Sequence, residues 1–154
     1  MTSTNPGARA ADNAGLAHQV IQYERVSSVQ EAADARGVPV SAVVKSLLVR
    51  RDTDDYVIVL VPGDRNMSWP KVREALGVSR LSMPDAASAK DVTGYERGTI
   101  TPLGLTLPLV ADERLRGEWI TLGSGEHSVA IGVNADDIID HYSALVADVS
   151  DSAN

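Results

Sequence analysis

Apolar and polar positions change period several times along this chain, and each change predicts an element. Leu16, Val20, Ile21 and Tyr23 fall on a helical spacing with His18 and Glu24 on the wetter side, which predicts a helix over Leu16 to Arg25. Ser28 followed by Glu31 makes a capping box and Gly37 supplies a left-handed stop, so a short helix is expected over Val29 to Arg36. The pattern then turns β-like. Within Val40 to Val61, the apolar run to Val49 and the run Tyr56 to Val61 flank polar Arg51 to Asp55, predicting a hairpin buried in a sheet and closed by Pro62-Gly63-Asp64. Ser68 caps a further helix with Pro70 in its first turn, Val72 and Leu76 on its inner face and Gly77 at its end. Arg80 to Met83 reads as a short strand, and Pro84-Asp85 opens a helix that ends near Gly94.

The second half reads as strands. Leu107 to Ala111, Glu118 to Leu122 and Ser128 to Val133 are separated by turns at Asp112 to Gly117 and Gly123 to His127, which predicts a meander. Asn134 caps a last helix, with Asp136 and Asp137 at the positive end of its dipole and Ile138 and Ile139 as its apolar contacts. Residues 1–15 mix small and polar side chains and are expected to form a flexible tail; 16–149 form a single α+β domain, and 150–154 a frayed end.

Composition bounds what this domain can do. At 154 residues, with 44% hydrophobic and 23% charged positions, the chain has the profile of one soluble globular domain. Without Phe, its core rests on Val, Leu, Ile and Ala. The absence of Cys removes disulfides, thiolate metal sites and a cysteine nucleophile, and it fits a reducing compartment, so a cytoplasmic location is expected. No segment approaches the roughly 20 apolar residues of a membrane-spanning helix, and three scattered histidines support no metal site. A formal charge of −7 opposes broad capture of a nucleic-acid backbone.

Four features carry candidate chemistry, each beside a plainer reading. Lys45 interrupts an apolar strand: an edge lysine that blocks aggregation, or a fixed cation at a pocket. Between Thr93 and Gly104, three glycines and Pro102 fix an irregular loop, either a mere connection or a nest of backbone N–H groups for an anion. Gly123-Ser124-Gly125-Glu126-His127 lacks the spacing and strand-turn-helix context of a serine-hydrolase elbow and reads as a β-turn, with His127 as a polar pocket residue. The acidic run Asp136, Asp137 and Asp140 reads as capping and solvation.

Taken in order, Val43 to Val49 with Lys45, the Pro62-Gly63-Asp64 turn, the Thr93-Gly94-Tyr95 to Pro102-Leu103-Gly104 loop and the Gly123 to His127 turn resemble the YbaK/prolyl-tRNA synthetase editing-domain family, from about Tyr23 to Tyr142. The resemblance implies a mixed, barrel-like sheet flanked by helices and a trans-acting deacylase that cleaves the ester of mischarged tRNA, Ala-tRNA(Pro) or Cys-tRNA(Pro). It implies that Lys45 and Gly98 carry catalysis and that Tyr23, Thr99, Ile100, Thr101, Pro102, Ser124 and His127 bind substrate. The implied partners are the acceptor end of an aminoacyl-tRNA and an aminoacyl-tRNA synthetase, with no metal, cofactor or membrane required.

The loop departs from the family's common pattern of two glycines, an apolar residue, Ser and Pro, because Thr99 stands where glycine is common. A narrower pocket or altered backbone is expected there. Against the acidic charge, a local patch of Lys45, Arg50, Arg51, Arg65, Lys71 and Arg73 would give weak, salt-sensitive tRNA binding. Two rivals stay open: a non-catalytic aminoacyl-, nucleotide- or protein-binding module on the same fold, and an unrelated hydrolase using Ser124 and His127.

Overall fold

The computed structural model of the protein describes residues 4–153. Helix α1 is Pro6–Asn13 and strand β1 is His18–Gln22; α2 is Val29–Arg36, followed by a short 3₁₀ turn at Val40–Ala42. The hairpin β2 (Lys45–Asp52) and β3 (Asp55–Val61) leads into β4 (Arg65–Met67), α3 (Trp69–Leu76) and α4 (Ala86–Thr93). Then come β5 (Leu109–Asp112), β6 (Trp119–Gly123), β7 (Val129–Asn134), α5 (Ala135–His141), β8 (Leu145–Ala147) and β9 (Ser150–Ser152).

The strands form three sheets, ordered β1-β7-β6, β2-β3-β5-β8 and β4-β9. The mixed α+β class is as expected; the barrel is not, since no closed barrel forms among the described residues. The two larger sheets touch through an isolated bridge between Val43 and Thr121, where the Val44 amide donates to the Thr121 carbonyl at 3.0 Å. β3 is an inner strand of the four-stranded sheet and is buried on both faces. Val57, Val59 and Val61 enter one apolar cluster with Val49, Val72 and Val110, while Ile58 and Leu60 enter the main core with Leu103, Ile120 and Leu122. A strand buried on both faces needs an unbroken apolar run, and β3 has one.

Three helix caps form as the sequence predicts, whereas Asn134 stands at the start of α5 without a side-chain capping bond. Ser28, Ser68 and Asp85 accept hydrogen bonds from the amides three residues on, and Gly37, Gly77 and Gly94 end α2, α3 and α4 in the left-handed conformation.

Several expectations fail for tertiary reasons. The helix expected over 16–25 is instead β1, paired antiparallel with β7 from His18 opposite Val133 to Gln22 opposite Val129. Its apolar spacing fits a helix, but the Val20-Ile21 pair serves an edge strand equally well and the β7 partner decides. The meander is broken because β5 pairs parallel with β3 and β8; Asp112 caps a 3₁₀ turn at Glu113–Leu115 that carries the chain away to β6. Arg80 to Met83 makes only a bridge, Ser82 to Arg50, and no strand. The expected tail contains α1, whose Ala8 and Ala11 are fully buried, while its residues 1–3 lie outside the described residues. The expected frayed end contains β9, paired with β4; residue 154 lies outside the described residues.

Candidate functional site

Lys45 opens β2, opposite Val61. Its Nζ donates a 2.7 Å hydrogen bond to the Arg65 carbonyl, so β4 fixes the half-buried side chain. Lys45, Leu48, Arg36, Arg97, Gly98 and Ile100 contribute to the wall of one cavity of about 380 Å³. A second cavity of about 240 Å³ is bounded by Tyr23, Arg25, Arg36, Gly98, Gly123 and His127, among others. The two share Arg36, Gly98 and Gly123, so Lys45, Gly98 and Ile100 face one space and Tyr23 and His127 the adjoining one.

Gly98 has φ +90°, a conformation that L side chains avoid, and a Cβ there would meet nothing within 4 Å. Backbone dihedral, not space, therefore requires glycine. Among the described residues no acceptor is found for the Gly98 or Ile100 amides, which leaves these loop N–H groups available for an anionic oxygen. The loop is held from behind. The Gly125 amide donates to the Thr99 carbonyl at 2.9 Å, and a Cβ on Gly123 would lie 2.8 Å from the Ile100 oxygen, so β6 lies almost against the loop backbone. Helix α1 supports this turn in its own way: Gly7 N–H donates to the Ser124 carbonyl at 2.8 Å, and Asn5 Nδ2 to Ser124 Oγ at 3.0 Å and Glu126 Oε1 at 2.6 Å.

Four expected substrate residues line neither cavity. Thr99 is buried and its hydroxyl donates to the Glu96 carbonyl at 2.7 Å, so the side chain does not narrow the pocket. Thr101 is buried with its oxygen near the Leu103 amide, Pro102 is buried, and Ser124 is fully buried with its hydroxyl donating to the Val129 carbonyl at 2.7 Å. These residues shape the loop from inside. Among the described residues His127 Nε2 reaches Glu96 at 3.4 Å and not Ser124, which removes the Ser124–His127 hydrolase.

The electrostatics are one-sided where the chain as a whole is not. Arg36, Lys45 and Arg97 line the larger cavity, and no Asp or Glu is among its lining residues, in a chain of formal charge −7. No local spacing singles out Arg36, because an arginine in the last turn of a helix looks like an ordinary partner of the helix dipole. Of the expected basic patch, Lys71 is spent on Asp148 and Asp151 and Arg65 on Ser150. Arg50, Arg51 and Arg73 instead share a groove with Arg80. It lies roughly 17 Å along β2 from Lys45, five residues at strand spacing. Among the described residues no group of three or more His, Cys, Asp or Glu is placed to hold a metal, and no helix is long and apolar enough to cross a membrane.

Residues 23–141 match the family model described as an aminoacyl-tRNA editing domain. The chain is 33% identical over 131 residues to a proline–tRNA ligase of Geobacter metallireducens, covering 84% of this chain and 22% of that one. It is 38% identical over 90 residues to the proline–tRNA ligase of Desulfovibrio desulfuricans, covering 58% of this chain and 16% of the other. The chain thus spans about a fifth of the length of these ligases. A solved structure described as a candidate trans-editing enzyme for prolyl tRNA synthetase superposes with a TM-score of 0.85 at 24% identity, covering 97% of this chain and all of that one, and shares the fold.

Proposed function

Since the chain belongs to the aminoacyl-tRNA editing domain family, we propose that it acts in trans to hydrolyse the ester linking a wrong amino acid to tRNA, with Ala-tRNA(Pro) or Cys-tRNA(Pro) as substrate. The observation that carries this reading is the cavity itself, cationic on its walls, free of carboxylates and edged by the unpaired amides of Gly98 and Ile100.

Ester cleavage asks little more of a protein. Water, activated by a substrate group such as the neighbouring ribose hydroxyl, adds to the ester carbonyl; the oxygen becomes an oxyanion, and the carbon–oxygen bond to the ribose then breaks. One water proton passes to the leaving ribose oxygen and the other to solvent, and the amino acid departs as a carboxylate. Amide donors fixed where that oxyanion develops lower the barrier without reorganising, and Lys45 supplies a positive charge held by its bond to Arg65. The apolar wall of the same cavity, with Val44, Leu48 and Ile100, suits a small side chain. The groove of Arg50, Arg73 and Arg80 suits acceptor-stem phosphates. Screening these three contacts with salt is expected to weaken binding.

The test is a deacylation assay on a panel of mischarged tRNAs. Native protein is expected to release alanine or cysteine from tRNA(Pro) well above the spontaneous rate, and Lys45→Ala to lose about tenfold, the scale of one charge-assisted hydrogen bond. A native rate equal to the spontaneous one across the panel would leave a binding module on the same fold; an unchanged Lys45→Ala rate would remove Lys45 from the site.

A further inference from the structure

A further cavity, of about 490 Å³, is larger than either of the two at the candidate site and shares no lining residue with them. Its lining includes Asp64 and Arg65 at the entry to β4, Glu118 and Trp119 at the entry to β6, and the apolar side chains of Pro39 and Leu115. A concave, largely apolar space of this size with a few placed polar groups is the ordinary make-up of a small-molecule site.

The charges around it are of both signs and lack opposite partners. Among the described residues neither Asp64 nor Glu118 makes an ion pair, and both are exposed. Arg65 Nε donates to Ser150 Oγ at 2.8 Å and Nη2 to the Ser150 carbonyl at 3.0 Å, neutral acceptors that orient the guanidinium and leave its charge uncompensated. Its Nη1 has no protein partner among the described residues and is open to solvent. Arg114, on the same cavity, differs, because Asp112 and Asp148 both accept from its Nη1. Trp119 adds an aromatic plate: it is 38% exposed, and a Cβ on Gly132 would lie 2.8 Å from its Cζ2, so this glycine of β7 is what lets the indole lie on the strand.

These features select a ligand by sign. An anion would meet Asp64 and Glu118, a cation would meet Arg65, and a neutral apolar molecule would leave all three unpaired. We propose that the cavity is a second ligand site, for a free α-amino acid with an apolar side chain. The carboxylate takes Arg65, the ammonium takes Asp64 or Glu118, and the side chain lies against Trp119 and Leu115. The site is tied to the first one, because the same Arg65 offers its carbonyl to Lys45 Nζ at 2.7 Å. A free amino acid is also a product of ester cleavage, but the site does not rest on the editing reading.

Nuclear magnetic resonance of the two tryptophan indoles, with calorimetric titration, tests this on the native protein. L-Phenylalanine and L-leucine are expected to bind and to shift the indole signal of Trp119 but not that of Trp69, which lies outside the cavity. Phenethylamine, which lacks the carboxylate, and 3-phenylpropanoate, which lacks the ammonium, are each expected to bind at least about tenfold more weakly than phenylalanine, the loss of one charged hydrogen bond. Arg65→Gln is expected to erase the advantage of phenylalanine over phenethylamine while phenethylamine itself binds as before, which checks that the cavity is intact. Joint substitution of Asp64→Asn and Glu118→Gln, at exposed positions, is expected to erase the advantage over 3-phenylpropanoate. No binding of either amino acid, equal binding of phenylalanine and its two truncated forms, an unmoved Trp119 indole, or an advantage surviving its variant would overturn the site. The native comparison and the exposed double variant leave the Arg65–Ser150 bonds untouched. Neither readout involves turnover, so an inactive deacylation panel leaves this site standing, and failure here leaves the proposed hydrolysis as it is.

Discussion

Gly123→Val is expected to cut deacylation at least about 100-fold, the cost of displacing a reacting group by an ångström or so. The cause is space. Even a Cβ at this position would sit 2.8 Å from the Ile100 oxygen and 3.1 Å from the Thr99 oxygen, both backbone atoms that cannot rotate aside. Valine adds two methyl groups to that contact. The strand cannot retreat either, because β6 is paired along its length with β7 and buries Ile120 and Leu122 in the core. The loop must therefore move, carrying the Gly98 and Ile100 amides out of register with Lys45. Overpacking of this kind costs about 1–3 kcal/mol, so the variant is expected to fold with a lowered melting temperature. Thermal melting beside the deacylation assay separates the two effects; a variant that melts lower yet turns over normally would dissociate the loop from catalysis.

Asp112→Ala is expected to destabilise the protein by about 3 kcal/mol, since a buried charged hub is removed and its donors are left unpaired. The Asp112 carboxylate is fully buried at the end of β5. It accepts from Ser150 Oγ at 2.7 Å, from the Arg114 amide at 3.0 Å and from the Val149 amide at 3.2 Å. It thereby anchors β9, which pairs Ser152 with Arg65, whose carbonyl holds Lys45. Loss of Asp112 is thus expected to loosen Lys45 at one remove. Urea unfolding reads the first effect, and a Lys45-dependent fall in deacylation the second.

The same cluster gives a pH dependence. Burial alone would raise the Asp112 carboxyl, but hydrogen bonds from Ser150, Arg114 and Val149 outweigh it and hold the group below 3.8. Asp148, bonded to Arg114 and Lys71, is lowered to about 2. Groups lowered on folding contribute fully above their unfolded value, and the contribution is lost as pH falls through the folded one. Native protein is expected to keep this contribution above about pH 4 and to lose it toward pH 2. In Asp112→Ala the acid transition is expected to be shallower, as followed by circular dichroism.

Legibility in the sequence tracked how local each determinant is. The caps at Ser28, Ser68 and Asp85 and the β2–β3 run depend on residues a few positions apart, and they read correctly. β4, β8 and β9 are three-residue strands whose partners lie far along the chain. β9, reading Ser-Asp-Ser, carries no apolar signal at all; Asp112 and β4 make it a strand. At the site, Lys45 stood out by breaking an apolar strand, and the glycine loop by its composition. The inward turn of Thr99, Thr101 and Ser124 was invisible because hydroxyl direction depends on carbonyls that only the fold brings near. Arg36 was missed because its meaning lies in the carboxylate it lacks, which no spacing rule reports.

Helix α1 supports the turn at 124–126 by way of Asn5 and Gly7, while its Ala8 and Ala11 rest on the main core. Partial undocking of its first turn would release that turn and let the Thr99 carbonyl lose Gly125, yet it would leave both large sheets paired. Such a local opening needs less heat than global melting. On the proposed function, deacylation is then expected to fail at a lower temperature than the fold as a whole, with α1 setting the difference.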